Sequence, residues 1–355
     1  MAEAAPSYRD FRKVLPVAQA PQPPQPSAAA AETGHASLPE RGAAASAATR
    51  PGLPPAARWP VILETAGWKD YALLDMGRGQ KLERYGRFTV VRPEPQAMGL
   101  PRLKQSVWDR ADAVFTGDVD EEGPGRWKFA GSVPETWEMA YGPARYFGRF
   151  MSFRHVGVFP EQAPHWDWVM EKVREARAAE PGRQVKVLNL FGYTGLASLL
   201  PAAAGAHVTH VDASKKAIAY ARENQDLSGL GDLPIRWILE DASKFVAREV
   251  RRGSTYDGII LDPPKYGRGP KGEVWDLFVN LPEMLDMLRQ LLSPNALFMI
   301  LTAYAIRASF LSVHELMAET LSKQGGLLES GELVIREEKG DRCLSTSLFS
   351  RWSGA

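Results

Sequence analysis

Three aspartates stand at the ends of three apolar runs: Asp212 closes HVTHVD, Asp241 follows IRWILE, and Asp262 closes YDGIILD. Carboxylates so placed can accept hydrogen bonds from ribose hydroxyls, from amines, or from the free amides that open a helix. Asp262 begins DPPKYGRGPKG, in which Pro263 and Pro264 fix the backbone and remove two amide donors. A carboxylate with rigid carbonyls there can orient an amine or ring nitrogen. Tyr266 offers a stacking ring, and Lys265, Arg268 and Lys271 suit phosphate. The plain alternative is a capped turn beneath a loop. Asp241 is open in the same way, since it either accepts from an adenine amine or caps the next helix.

The stretch VKVLNLFGYTG, Val185 to Gly195, supplies the other half of the chemistry. VKVLNL has the length and branching of a buried strand, FGYTG is a glycine-bearing turn, and LASLLPAAAG after it reads as a helix. Such a turn lets a ligand approach the backbone while the amides opening the helix point donors at it. The dinucleotide fingerprint would place its glycines at Leu190, Gly192 and Gly195, so the first is missing and a nicotinamide cofactor is disfavoured. Asp212 lies 17 residues after Gly195, which suits a carboxylate accepting both hydroxyls of a ribose.

The elements that must hold these residues follow from composition and periodicity. A chain of 355 residues, 45% hydrophobic and 24% charged, is a globular composition with room for two or three domains. One cysteine, Cys343, excludes an intrachain disulfide framework and a thiolate metal cluster. Without an apolar run of membrane-spanning length or a secretory leader, the cytoplasm is the expected location. A net charge of +1 leaves any nucleic-acid contact to local patches.

Residues 1–57, rich in Ala and Pro, are expected to be a disordered tail, in which YRDFRKVLPV is either a docking peptide or plain solvated chain. From about 58 to 151, short runs such as VILETAG, YALLDMG and RFTVVRPEP predict a small β-rich domain. Its tryptophans and arginines either stack bases or pack a small core. The segment FMSFRHVGVFPEQAPHWDW contains His155, Glu161, His165 and Asp167, but without the spacing of a metal site, so no metal is expected.

HWDWVMEKVREARAAE then reads as a helix. After the glycine turn come HVTHVD, a helix capped by Ser214, IRWILED, the helix ASKFVAREVRR, and YDGIILD. A helix from Trp275 to Leu292, the strand ALFMILT and a helix from about Ala308 to Gln324 follow, and LLESGELVI with STSLFSRW predicts an antiparallel edge pair. The fold class is α/β, a doubly wound Rossmann-like sheet with an antiparallel C-terminal strand.

NLFGYTG, VDASKKAIAYARENQ, EDASKFV and LDPPKYGRG, in this order and spacing, resemble the class I S-adenosylmethionine-dependent methyltransferases. Within that class they are similar to the bacterial large-subunit ribosomal RNA methyltransferases, which modify 23S RNA. The resemblance covers roughly residues 150 to 352, and residues 152–355 are taken as the methyltransferase domain. It implies S-adenosylmethionine as cofactor, with Asn189, Phe191, Gly192, Tyr193, Thr194 and Gly195 around its methionine part. Asp212 with Ala213 is implied at the ribose, and Asp241 with Ala242 at adenine. Asp262, Pro263, Pro264, Lys265 and Tyr266 are implied at the methyl-transfer face, and GVFPEQ resembles an arm that brings Phe159 and Gln162 to the cofactor.

Relatives that make 5-methylcytosine carry a cysteine nucleophile near the strand matching ALFMILTAY, where this chain has Thr302, Ala303 and Tyr304. That argues against cytosine C5 as acceptor and for an exocyclic amine or ring nitrogen. The expected function is methylation of a nucleobase in ribosomal RNA. A protein or small-molecule acceptor and a non-catalytic RNA-binding factor are the alternatives.

Overall fold

A computed structural model describes residues 48–117, 125–151, 154–269, 272–304 and 306–354. The expected disorder of 1–57 and the YRDFRKVLPV peptide lie outside these residues except for the last ten, and there the expectation fails. Thr49 bridges to Gly326, and strand β1 (Ala56–Thr65) has already begun.

The β-rich segment then supplies β2 (Tyr71–Gly77), β3 (Gln80–Tyr85), β4 (Phe88–Pro93), β5 (Ala113–Thr116) and β6 (Arg126–Phe129). These form a five-stranded sheet in that order, with the short helix α1 (Gln105–Trp108) between β4 and β5. A hairpin of β7 (Trp137–Tyr141) and β8 (Ala144–Gly148) follows. A 3-10 turn, Pro160–Gln162, leads into α2 (Ala163–Ala179).

The βα alternation is then β9 (Lys186–Leu190), α3 (Leu196–Ala203), β10 (His207–Asp212), α4 (Lys215–Leu227), β11 (Ile235–Leu239), α5 (Ala242–Arg252) and β12 (Gly258–Leu261). A hairpin of β13 (Tyr266–Arg268) and β14 (Val274–Asp276) interrupts it before α6 (Leu277–Gln290), β15 (Phe298–Tyr304), α7 (Phe310–Thr320), β16 (Leu327–Arg336) and β17 (Cys343–Ser353).

Eight strands make the main sheet, in the order β1-β16-β17-β15-β12-β9-β10-β11. β9 to β12 and β15 run parallel, and β17 is antiparallel to both of its neighbours. The central strands read as continuous apolar runs because both faces are covered, and alternate residues serve opposite layers. Val187, Ile260 and Ile300 join the cluster under α2 and α3, while Leu188, Leu190, Ile259, Leu261 and Leu301 join the one under α5, α6 and α7. Each such side chain contributes about 1.5–3 kcal/mol by its burial.

Two elements differ from the sequence expectation. β1, read from sequence as part of the β-rich domain, pairs parallel with β16 at the edge of the main sheet. β16 and β17 are therefore interior strands rather than an edge pair. Gly331 makes the close approach possible, because a Cβ there would strike the Val61 carbonyl. The helix expected from Trp275 begins only at Leu277, since Val274–Asp276 pairs with Tyr266–Arg268 and the Asp276 side chain caps the helix.

In the β-rich segment the aromatic residues mainly pack. Trp137 lies 4.8 Å from Phe88 and 4.9 Å from Phe150, and Trp108 donates to Asp75 at 2.9 Å. Arg84, Arg92 and Arg102 are committed to Glu338, Glu83 and Asp341. The β7–β8 hairpin is tied to α4: the Phe147 amide donates to Asn224 Oδ1 at 2.9 Å, and Arg149 pairs with Glu223 at 2.7 Å.

Candidate functional site

Register brings the three aspartates to one edge. Leu190 stands opposite Val211 and Leu261, and Asp212 opposite Leu239, so the chain leaves β9, β10, β11 and β12 at a common level. Sheet order reverses between β9 and β12, and ligands of open α/β sheets sit at the carboxyl edge of such a reversal. A cavity of about 540 Å³ opens there. A smaller one of about 50 Å³ shares Phe159, Gln162, Phe191, Tyr193 and Asp262 with it.

The glycine turn is shaped by strain and by packing. Phe191 (φ 56°) and Tyr193 (φ 50°) both adopt left-handed backbone, a conformation that costs on the order of 1–3 kcal/mol per residue. This turns the Phe191 ring to Trp275, 5.1 Å away, and the Tyr193 ring to Phe159, 5.2 Å away, so both rings border the large cavity. Gly192 lacks a side chain for a reason the sequence did not suggest: a Cβ would collide with the buried His210 ring beneath it.

Asn189 is buried, and its side chain donates to Ser198 at 2.8 Å; Asn189, Gly192, Thr194 and Gly195 line the small cavity rather than the large one. Thr194 holds the arm in place, donating to the Gly157 carbonyl at 2.7 Å. Asn224, which receives the Phe147 amide, donates to the Thr194 carbonyl at 2.9 Å and so links this turn to the β-rich segment.

Asp212 accepts from the amides of Tyr193 (2.9 Å) and Ser214 (2.7 Å), which leaves about half of its carboxylate capacity for a ligand. Burial raises its pKa, and those two amides partly offset the rise. Ala213 lines the cavity beside it. Asp241 caps α5, accepting from the Lys244 amide at 3.0 Å, yet it and Ala242 also form cavity wall. The two roles that the sequence left as alternatives coexist at this residue.

Asp262 accepts from Gln162 Nε2 at 3.1 Å, and the oxygen of the same amide lies 3.4 Å from the Thr302 hydroxyl on β15. Burial, with the neighbouring carboxylate of Glu161, pushes the Asp262 pKa up to about 7. Pro263, Pro264, Lys265 and Tyr266 continue along the cavity wall. The Pro264 carbonyl is already taken by Trp275 Nε1 at 2.7 Å, and the Leu277 amide donates to the Lys265 carbonyl at 3.0 Å. These bonds fold the β13–β14 hairpin back over the site and leave Tyr266 half exposed at its mouth.

Arg154, His155, Glu161, Trp275, Tyr304 and Ser347 also line the large cavity and had not been assigned to it from sequence, and Arg268, offered there for phosphate, joins them. Glu161 lies within the GVFPEQ arm and Arg154 just before it, a proximity that sequence offered. Ser347, on β17, is distant in the chain and carried no signal. His155 is kept neutral, its pKa lowered to about 3 by burial and by Arg92, Arg154 and Lys81. Cys343 opens β17 beside Glu64 and borders neither cavity. Among the described residues no helix is long and apolar enough to cross a membrane.

No family model matches the chain. Over 87% of its length it is 57% identical to a solved SAM-dependent methyltransferase from Agrobacterium tumefaciens, 98% of which is covered, with a TM-score of 0.81. It is 26% identical over 210 residues to a ribosomal RNA large subunit methyltransferase K/L of Desulfotalea psychrophila, and 35% identical over 126 residues to the one of Shewanella frigidimarina. These matches take in 58% and 35% of this chain but only 27% and 17% of those proteins.

Proposed function

Because the chain belongs to the S-adenosylmethionine (SAM)-dependent methyltransferases, we propose that it methylates a nitrogen of an RNA base, with ribosomal RNA as the substrate. One observation carries the reading: Asp262, buried and tethered by Gln162, stands in the wall of the cavity that Asp212 and Asp241 also line. A volume of about 540 Å³ matches a nucleoside-sized ligand. The likeness to the ribosomal RNA enzymes supports the choice of acceptor.

When bound, SAM supplies a methyl group on a positively charged sulfur. Asp212 would hold the ribose hydroxyls with the capacity its two amides leave free, and Asp241 would accept from the adenine amine. The turn from Asn189 to Gly195, with Phe159 and Gln162 of the arm, would enclose the methionine part. Asp262 would accept the hydrogen of the attacking nitrogen. A pKa of about 7 suits a group that must receive a proton near neutrality. Pro263 and Pro264 would keep that carboxylate in line, and Tyr266 would stack on the acceptor base. A nitrogen acceptor needs no covalent nucleophile, in keeping with a cysteine remote from the cavity. The β-rich segment that follows β1, about 66 to 151, would meet the substrate.

A protein or small-molecule acceptor remains the second reading, favoured by the near balance of 43 basic and 42 acidic residues. The test is titration with S-adenosylhomocysteine (SAH), followed by transfer of labelled methyl groups to ribosomal RNA fragments. The Asp212→Ala variant should lose SAH affinity, whereas Asp262→Ala should keep it and lose mainly rate. Equal loss of affinity in both would refute this division of labour.

A further inference from the structure

The arm contains a carboxylate that neither the fold nor the roles above account for. Glu161 is 6% exposed, lies between Phe159 and Gln162, and forms part of the large cavity's wall. Among the described residues its side chain makes no ion pair and accepts no hydrogen bond from another residue.

The cations acting on it are held elsewhere. Lys81 pairs with Glu94 at 3.1 Å, and Arg92 holds Glu83 through two nitrogens at 2.7 and 2.8 Å. Burial alone would raise the pKa of Glu83, but Arg92 and Lys81 outweigh it and hold the group at about 2. At Glu161 burial outweighs Lys81 and Arg92, which pull the pKa down without bonding to it, and leaves the pKa raised. Arg154, which does border the cavity, donates to the Pro93 carbonyl and to the Tyr304 hydroxyl, each at 2.7 Å.

A buried carboxylate without a cation is costly unless something else neutralises it. Asp262 sharpens the case, because the two acidic groups repel one another across one cavity. We propose that Glu161 is a binding residue for a cationic or amine nitrogen inside the cavity, completing an acidic pair with Asp262. This inference rests on the methyltransferase reading of the site. Two nitrogens fit that chemistry: the α-ammonium of the cofactor's amino-acid part, and an amine entering at the transfer position.

Three ligands separate them by isothermal titration of the full chain and of Glu161→Gln, a near-isosteric change. SAH carries the α-ammonium, 5′-methylthioadenosine lacks it, and sinefungin has the α-ammonium together with a further amine at the transfer position. If Glu161 holds the α-ammonium, the variant binds SAH and sinefungin at least about tenfold more weakly and methylthioadenosine unchanged, as expected for loss of a charge-assisted hydrogen bond. If it faces the transfer position, only sinefungin weakens.

Unchanged affinity for all three ligands in a variant that melts like the parent would overturn the proposal. Failure of the parent chain itself to bind SAH would instead strike the cofactor reading. Should Glu161→Gln misfold, the parent protein still decides: sinefungin, which carries both nitrogens, must bind more tightly than methylthioadenosine, and equal affinity for all three would refute the site.

Discussion

At the scale of single residues, Asp262 makes the sharpest claim because its environment sets both its chemistry and its cost. Its folded pKa, about 7, lies above the ordinary 3.8, so the native state favours the protonated form. The stabilisation this brings is complete below the unfolded pKa and is lost as pH rises through about 7. Asp262→Asn removes the titration, so the variant should gain melting temperature relative to the parent between pH 5 and pH 8. Asp212, whose pKa burial also raises, remains in both proteins and does not create that difference, while Glu161 faces one carboxylate fewer in the variant and shifts it in the same direction. Thermal melts across the range check it, and a constant offset would mean that Asp262 ionises as freely as a surface carboxylate. In the active enzyme the same group should make the transfer rate climb as pH passes 7.

At the scale of elements, the glycine turn is held from beneath by the buried His210, which contacts Ser198 at 2.9 Å and stacks near Trp237 at 4.6 Å. Gly192→Ala should therefore cost about 1–3 kcal/mol by overpacking, and His210→Ala in the same chain should recover part of it. A double-mutant cycle measures the coupling, expected at about 0.5–3 kcal/mol, and additive effects would show that the glycine serves ligand approach instead. This was hidden in the sequence because a glycine after a strand has the same appearance whether a ligand or a ring lies against it. The alternation of strands and helices after Val185 was legible, since buried parallel strands give unbroken apolar runs such as GIIL and FMIL. The three acidic strand ends were legible for the same reason. The place of β1 was not, because VILET alternates in the same way on any half-buried edge and its partner β16 lies some 270 residues away. The β13–β14 hairpin escaped because strands of three residues leave no periodicity to read.

At the scale of the whole molecule, 43 basic and 42 acidic side chains leave no general attraction to a polyanion, and several arginines that sequence offered as a basic surface are bound to carboxylates. Any phosphate contact must then come from a small set of cations near the site, of which sequence places Lys265, Arg268 and Lys271 on one loop. Single-stranded nucleic acid releases about 0.7 counterion per neutralised phosphate, so three such contacts give a log–log salt slope of about −2. Fluorescence anisotropy with labelled ribosomal RNA fragments over a salt series measures it. A slope near −2 that falls by about 1.4 units when Lys265 and Arg268 are both changed to Ala would place the RNA at the mouth beside Tyr266. A slope of −5 or steeper would require a broader basic face than these three cations. No binding at low salt, in a protein that holds SAH, would turn the choice of acceptor toward a protein or a small molecule, the outcome that the balanced charge already keeps in view.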